Sequence, residues 1–89
     1  MRAITINTGA LESANYFGEG NVTAVRTAWE TRIVALGAQD GIQVNLQREG
    51  LIGAGIIDVA GLGDREEMMN TEEYEWYNIA ARHAFPPSA

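Results

Sequence analysis

The sequence predicts a small α+β domain of order β-α-β-β-α, a three-stranded sheet with two helices packed on one face. Three observations carry that expectation. Apolar residues alternate over 2–7 and 42–47, the period of a half-buried strand. Apolar residues recur at helical spacing over 21–37 and 71–84. At 89 residues, a single domain over 1–89, the chain has room for one hydrophobic core.

The first strand, "RAITIN", sets Ile4 and Ile6 on one face with Ala3 and Thr5 on the other. Residues 8–20 ("TGALESANYFGEG") hold no sustained period and end in two glycines, so they read as a long loop with one helical turn at 10–16. Long loops in small domains are frequently functional. The first helix follows: Asn21 can cap it, and Gly37 falls where a left-handed C-terminal cap would sit. Its apolar stripe is Val22, Val25, Trp29, Ile33 and Leu36, with Arg26, Thr27 and Glu30 toward solvent.

"IQVNLQ" (42–47) points Ile42, Val44 and Leu46 inward and Gln43, Asn45 and Gln47 outward. "REG" then predicts a hairpin turn with Glu49-Gly50 at its tip, and "LIGAGIIDVAG" the returning strand. Asp64 followed by Glu67 suits the cap of a short helical turn, and Asn70 followed by Glu73 repeats that pattern. The last helix carries Trp76, Ile79, Ala80 and His83 as its core stripe, widened by Tyr77 and Ala84, with Glu75, Asn78 and Arg82 behind. Pro86-Pro87 cannot continue it, which leaves 86–89 as a flexible tail. If the first two strands pair in parallel, the first helix is the crossover between them.

Composition limits function. Hydrophobic residues at 46% make a globular chain, and the absence of cysteine excludes disulfides and thiolate metal sites. The apolar runs are too short for a signal peptide or a membrane span, so a cytoplasmic protein is expected. Twelve acids against six arginines give a net charge of −6, with no basic stripe to displace counterions from nucleic acid. The imbalance concentrates in "DREEMMNTEEYE" (64–75), which holds six acids and one base.

Most chemical motifs fail on their spacing. "FGEGNVT" leads into a helix as phosphate-binding loops do, but lacks the third glycine or the lysine, and Glu19 would repel an anion. "GAGIID" (53–58) leads into β-branched residues rather than a helix. His83 is the single histidine, and Ser13 and Ser88 lie in a loop and a tail, poor places for a preorganised relay. It reads as a semi-buried residue near a helix C-terminus, where the dipole favours its charged form. Glu72, Glu73 and Glu75 do not share a helix face, so no metal site is expected. "NVT" (21–23) matches a glycosylation sequon without a secretory signal. No cofactor and no enzymatic activity are expected.

The acidic stretch has two readings. Acids in the first turn of a helix stabilise it by roughly 0.3–1 kcal/mol each, which accounts for Glu66, Glu67, Glu72 and Glu73. Capping does not account for Met68, Met69 and Tyr74 among them, since Met and aromatics are enriched at protein interfaces. The candidate partner-binding set is therefore Asp64, Glu66, Glu67, Met68, Met69, Glu72, Glu73, Tyr74 and Glu75. In size, charge and composition the chain resembles small inhibitors encoded by phages and mobile elements, including anti-CRISPR and anti-restriction proteins. That resemblance implies carboxylates presented where a target expects phosphates.

Three functions follow in order of expectation. The first is a stoichiometric inhibitor that docks on a basic, nucleic-acid-handling protein. The second is a subunit of a homo-oligomer that pairs through the hairpin edge or "LIGAGII". The third is a domain that sequesters or acts on a small molecule with the 8–20 loop and His83.

Overall fold

A computed structural model describes residues 2–49, 57–59 and 65–86. Among these the order is β1 (Arg2–Asn7), α1 (Thr8–Ser13), α2 (Val22–Gln39), β2 (Ile42–Gln47), β3 (Ile57–Val59), α3 (Arg65–Met69) and α4 (Glu72–His83). The α+β class and the three-stranded sheet are as expected. Two short helices, α1 and α3, join the two long ones.

β1 is the central strand, in the order β2-β1-β3. It pairs in parallel with β2, Ile4 beside Val44, and antiparallel with β3, Ile4 beside Val59. The expected hairpin is therefore overturned, because β1 lies between its two arms. Alternation marks a strand's existence without naming its neighbour. The centre goes to the strand whose apolar residues are fully buried, here Ile4 and Ile6 at 0% exposure. Of the proposed turn and return, Gly50 and residues 51–56 lie outside the described residues.

One sheet face is apolar, with Ile4, Ile6, Ile42, Ile57 and Val59 buried. α2 packs over β2 and α4 over β1. Ala3, Thr5, Gln43, Asn45 and Asp58 occupy the opposite face, half-buried or exposed. Leu46, beside Ile6, lies on the apolar face as expected but is not buried. It stands on the outer strand of the described sheet and is 37% exposed.

The segment 8–20 is more structured than a loop. Asn7, the last residue of β1, accepts the Ala10 N–H at 2.9 Å through Oδ1 and so caps α1 directly after the strand. The chain then reverses through Asn15 (φ 61°), a residue type that tolerates the left-handed region. That reversal lays Tyr16 and Phe17 against Trp29 and Phe85 with ring centroids 5.3–6.3 Å apart. Trp29, fully buried, donates its indole N–H to the Ala81 carbonyl at 3.0 Å.

Because α1 folds back on α2, Arg26 and Glu30 are not solvated as expected. Arg26 bridges Glu12 at 3.1 Å and Glu30 at 3.0 Å, and Thr8 donates its hydroxyl to Glu30 at 2.8 Å. Arg48, just past β2, reaches Glu12 at 3.2 Å. This balanced set of two acids and two bases ties α1 to α2 and to the end of β2.

Asn21 caps α2 as expected, but Gly37 does not end it. The helix runs on to Gln39, and Gly41 (φ +74°) supplies the left-handed residue beyond it. Gly37 is buried because α2 crosses β2 there at close range: a Cβ would lie 2.6 Å from Val44 Cγ2 and 2.7 Å from the Ile42 carbonyl oxygen. Trp76 of α4 covers the same position and donates its indole N–H to Asp40 at 2.7 Å.

Candidate functional site

The acidic stretch folds into two helices that meet at a corner, Asn70-Thr71. Thr71, not Asn70, caps α4: its Oγ1 accepts the Tyr74 N–H at 3.2 Å and donates to the Met68 carbonyl at 2.7 Å. Asn70 closes the end of α3 instead, donating Nδ2–H to the Glu66 carbonyl at 2.9 Å. One hydroxyl therefore satisfies the start of α4 and the end of α3, which fixes the turn between them.

This corner divides the nine candidate residues. Met68 turns inward and is 3% exposed, so its expected place in an interface is overturned; it anchors α3 in the core. Tyr74 is half-buried against that core. Glu66, Glu67, Met69, Glu72 and Glu75 are exposed. Asp64 lies outside the described residues.

Glu73 is held by a residue the sequence reading did not connect to it. Arg2, at the start of β1, donates Nε–H to Glu73 at 2.7 Å and approaches Glu72 at 3.2 Å. The Arg2 hydrogen bond holds the Glu73 carboxyl below its usual range, against a smaller opposing effect of burial. Seventy-one residues separate this pair, and only the seating of α4 over β1 brings it together.

The core stripe of α4 is rotated from the expected one. Tyr77, Ala80 and Ala84 are buried as expected and Ala81 joins them, while Ile79 is 58% exposed and His83 is exposed. Alanines let the helix sit close enough for Ala81 to accept the Trp29 indole. Hydropathy ranks isoleucine above alanine and so misplaced the stripe. The Tyr77 and Tyr16 hydroxyls pair; burial, then the Tyr16 neighbour, pushes the Tyr77 phenol above its ordinary value. The outward face of α4 consequently carries Glu72, Glu75, Ile79 and Arg82 at helical spacing.

Among the described residues four large hydrophobics are exposed: Val34, Leu46, Met69 and Ile79. Met69 and Ile79 lie on the acidic helices α3 and α4, while Leu46 belongs to β2 and Val34 to α2, in a groove shared with Ile42 and Val44 of β2.

The remaining candidates are dispersed. Ser13 is exposed at the end of α1, His83 is exposed at the end of α4, and Ser88 lies outside the described residues. The start of α2 is occupied by its own cap, Asn21 Oδ1 accepting from the Ala24 N–H at 3.3 Å. The described residues include no cluster of three or more His, Asp or Glu arranged to hold a metal, and no helix long and apolar enough to cross a membrane. No family model, curated protein or solved structure matches this chain.

Proposed function

We propose that this protein is a small binding module that docks on a basic protein surface through α3 and the outward face of α4. The observation that carries this reading is Ile79, 58% exposed on the helix face that also bears Glu72 and Glu75. An isolated carboxylate needs no partner when it sits at a helix N-terminus. An isoleucine presented between Glu75 and Arg82, one turn to either side, is different, because it offers apolar area whose burial favours association while the acidic excess of α3 and α4 steers the encounter.

Met69 supplies a second adaptable anchor at the corner. A surface with this charge suits a partner built to hold phosphates. The finer reading is a stoichiometric inhibitor of a nucleic-acid-handling protein, of the phage or mobile-element anti-defence kind, acting in the cytoplasm. Binding rather than catalysis is the activity in this reading, and no cofactor takes part.

The test compares the native chain with a variant carrying Gln at 66, 67, 72 and 75 and with Ile79→Ser. Both are checked by circular dichroism and used as bait in lysate of the source organism. The native chain should retain a basic, nucleic-acid-binding protein, lose it as salt is raised, and block its nucleic-acid binding at one-to-one stoichiometry. Equal retention by all three folded baits would refute the proposal.

A further inference from the structure

We infer that two copies of this chain pair through the outer edge of β2, antiparallel about a two-fold axis at Val44. The resulting six-stranded sheet has the order β3-β1-β2-β2-β1-β3. This inference is independent of the docking surface on α4.

Among the described residues β2 has one neighbour, β1, and its outer edge carries backbone N–H and C=O groups that these residues leave unpaired by any strand. The edge carries none of the devices that usually block such pairing. Ile42–Gln47 has no proline and no charged side chain, although the chain as a whole has a net charge of −6. An uncharged groove of about 420 Å³ runs beside it, lined by Val34, Ala38, Gly41, Ile42, Gln43 and Val44. Two acidic molecules repel each other, and this strand adds no charge to that repulsion.

The occupant follows from the register. Antiparallel partners lie on the same sheet face. With Val44 opposite Val44, Ile42 meets Leu46 of the other copy, and Gln43 meets Asn45 on the polar face. Gln43 and Asn45 already hydrogen-bond within one strand at 3.1 Å. The same register sets Asp40, two residues before the strand, opposite Arg48, one residue after it, at both ends. Both are exposed.

Slipping by two residues breaks this match in either direction. One slip places Ile42 against Arg48, and the other places Leu46 against Asp40. A single register therefore pairs apolar with apolar, amide with amide and acid with base. It also covers Leu46 (37% exposed) and brings Val34 (40% exposed) of each α2 toward the seam. The two α4 helices lie over β1, away from the seam.

Sedimentation equilibrium of the whole chain from about 10 μM to 1 mM tests association. Dimer mass should appear within this range, and Leu46→Lys should weaken association about tenfold or more. Ile79→Ser should leave it unchanged. The native chain contains no cysteine, so Val44→Cys provides a clean probe of register. Mild oxidation should crosslink it across the two-fold much faster than Asn78→Cys, and adding Leu46→Lys should abolish the difference. A folded monomer throughout the range would overturn the inference. So would a dimer indifferent to Leu46→Lys whose Val44→Cys form crosslinks no faster than the control.

Discussion

Replacing Gly37 by alanine should destabilise this protein, against the general rule for helix interiors. In an open helix Gly→Ala gains about 0.8–1 kcal/mol, from lower backbone entropy in the unfolded chain. Here the new Cβ would stand 2.6 Å from Val44 Cγ2 and 2.7 Å from the Ile42 carbonyl oxygen. Carbon atoms pack best near ~3.5–4.0 Å, so α2 must lift from β2 by roughly 1 Å or β2 must bend away. Neither neighbour yields easily, since one is a backbone oxygen and the other a stiff β-branched side chain. Overpacking of this kind typically costs about 1–3 kcal/mol. Contacts this short, one of them to backbone, put the cost at the upper end, about 2–3 kcal/mol, and the helix gain of about 1 leaves a net loss of about 1–2 kcal/mol. In a domain of this size that lowers Tm by roughly 5–15 °C. Thermal and urea unfolding followed by far-UV circular dichroism would measure it, with an unchanged urea slope showing that the unfolded reference is the same. Ala38→Gly, one residue on and exposed, is the control and should lose about 1 kcal/mol from helix propensity alone. A Gly37→Ala variant as stable as the parent, or more so, would show that α2 does not approach β2 this closely.

Thr71→Ala removes the hydroxyl that caps α4 and binds the Met68 carbonyl, and should cost about 1–2 kcal/mol by urea denaturation; Thr71→Ser should restore most of it. Arg2→Gln should flatten the acid limb of stability. The Glu73 carboxyl is depressed in the folded state, so its contribution is full above the unfolded carboxyl value of about 4.3 and fades as pH falls through the folded one. The gap between Arg2→Gln and the parent should therefore be widest near neutrality, shrink in high salt and close near pH 2; a gap constant with pH would refute the pairing. Tyr77 has the opposite sign. Its folded phenol is raised by burial, so stability is full below the unfolded value of about 10 and declines as pH rises beyond it. Tyr77→Phe should shift the alkaline unfolding midpoint upward while losing the hydrogen bond to Tyr16 at neutral pH.

Strands and helices were legible wherever one period ran uninterrupted. Ile4 and Ile6 of β1, the stripe from Val22 to Leu36 on α2, and the Asn21 cap depend on neighbours a few residues apart, and local chemistry settles them. The acidic stretch was legible as surface for the same reason, since five carboxylates in ten residues have no room to be buried together. Its subdivision was not. Met68 and Met69 are the same residue type side by side, and only the Asn70-Thr71 corner decides which one enters the core.

The sequence by itself determined the α+β class, a single core without disulfides, and an excess of negative charge near the last helix. Each follows from composition or from a period that any packing must respect. Tertiary structure alone decided that β1 lies between β2 and β3, that Arg2 meets Glu73, and that Arg26 and Glu30 form a lock beneath α1. It also decided that alanines rather than Ile79 face the core. These outcomes depend on which surfaces come together across the chain: Gly37 lies where α2 meets β2 most closely, and Ala80 and Ala81 form part of the buried side of α4. Hydropathy does not measure size, so Gly37 was read as a helix end and Ala81 was passed over for Ile79.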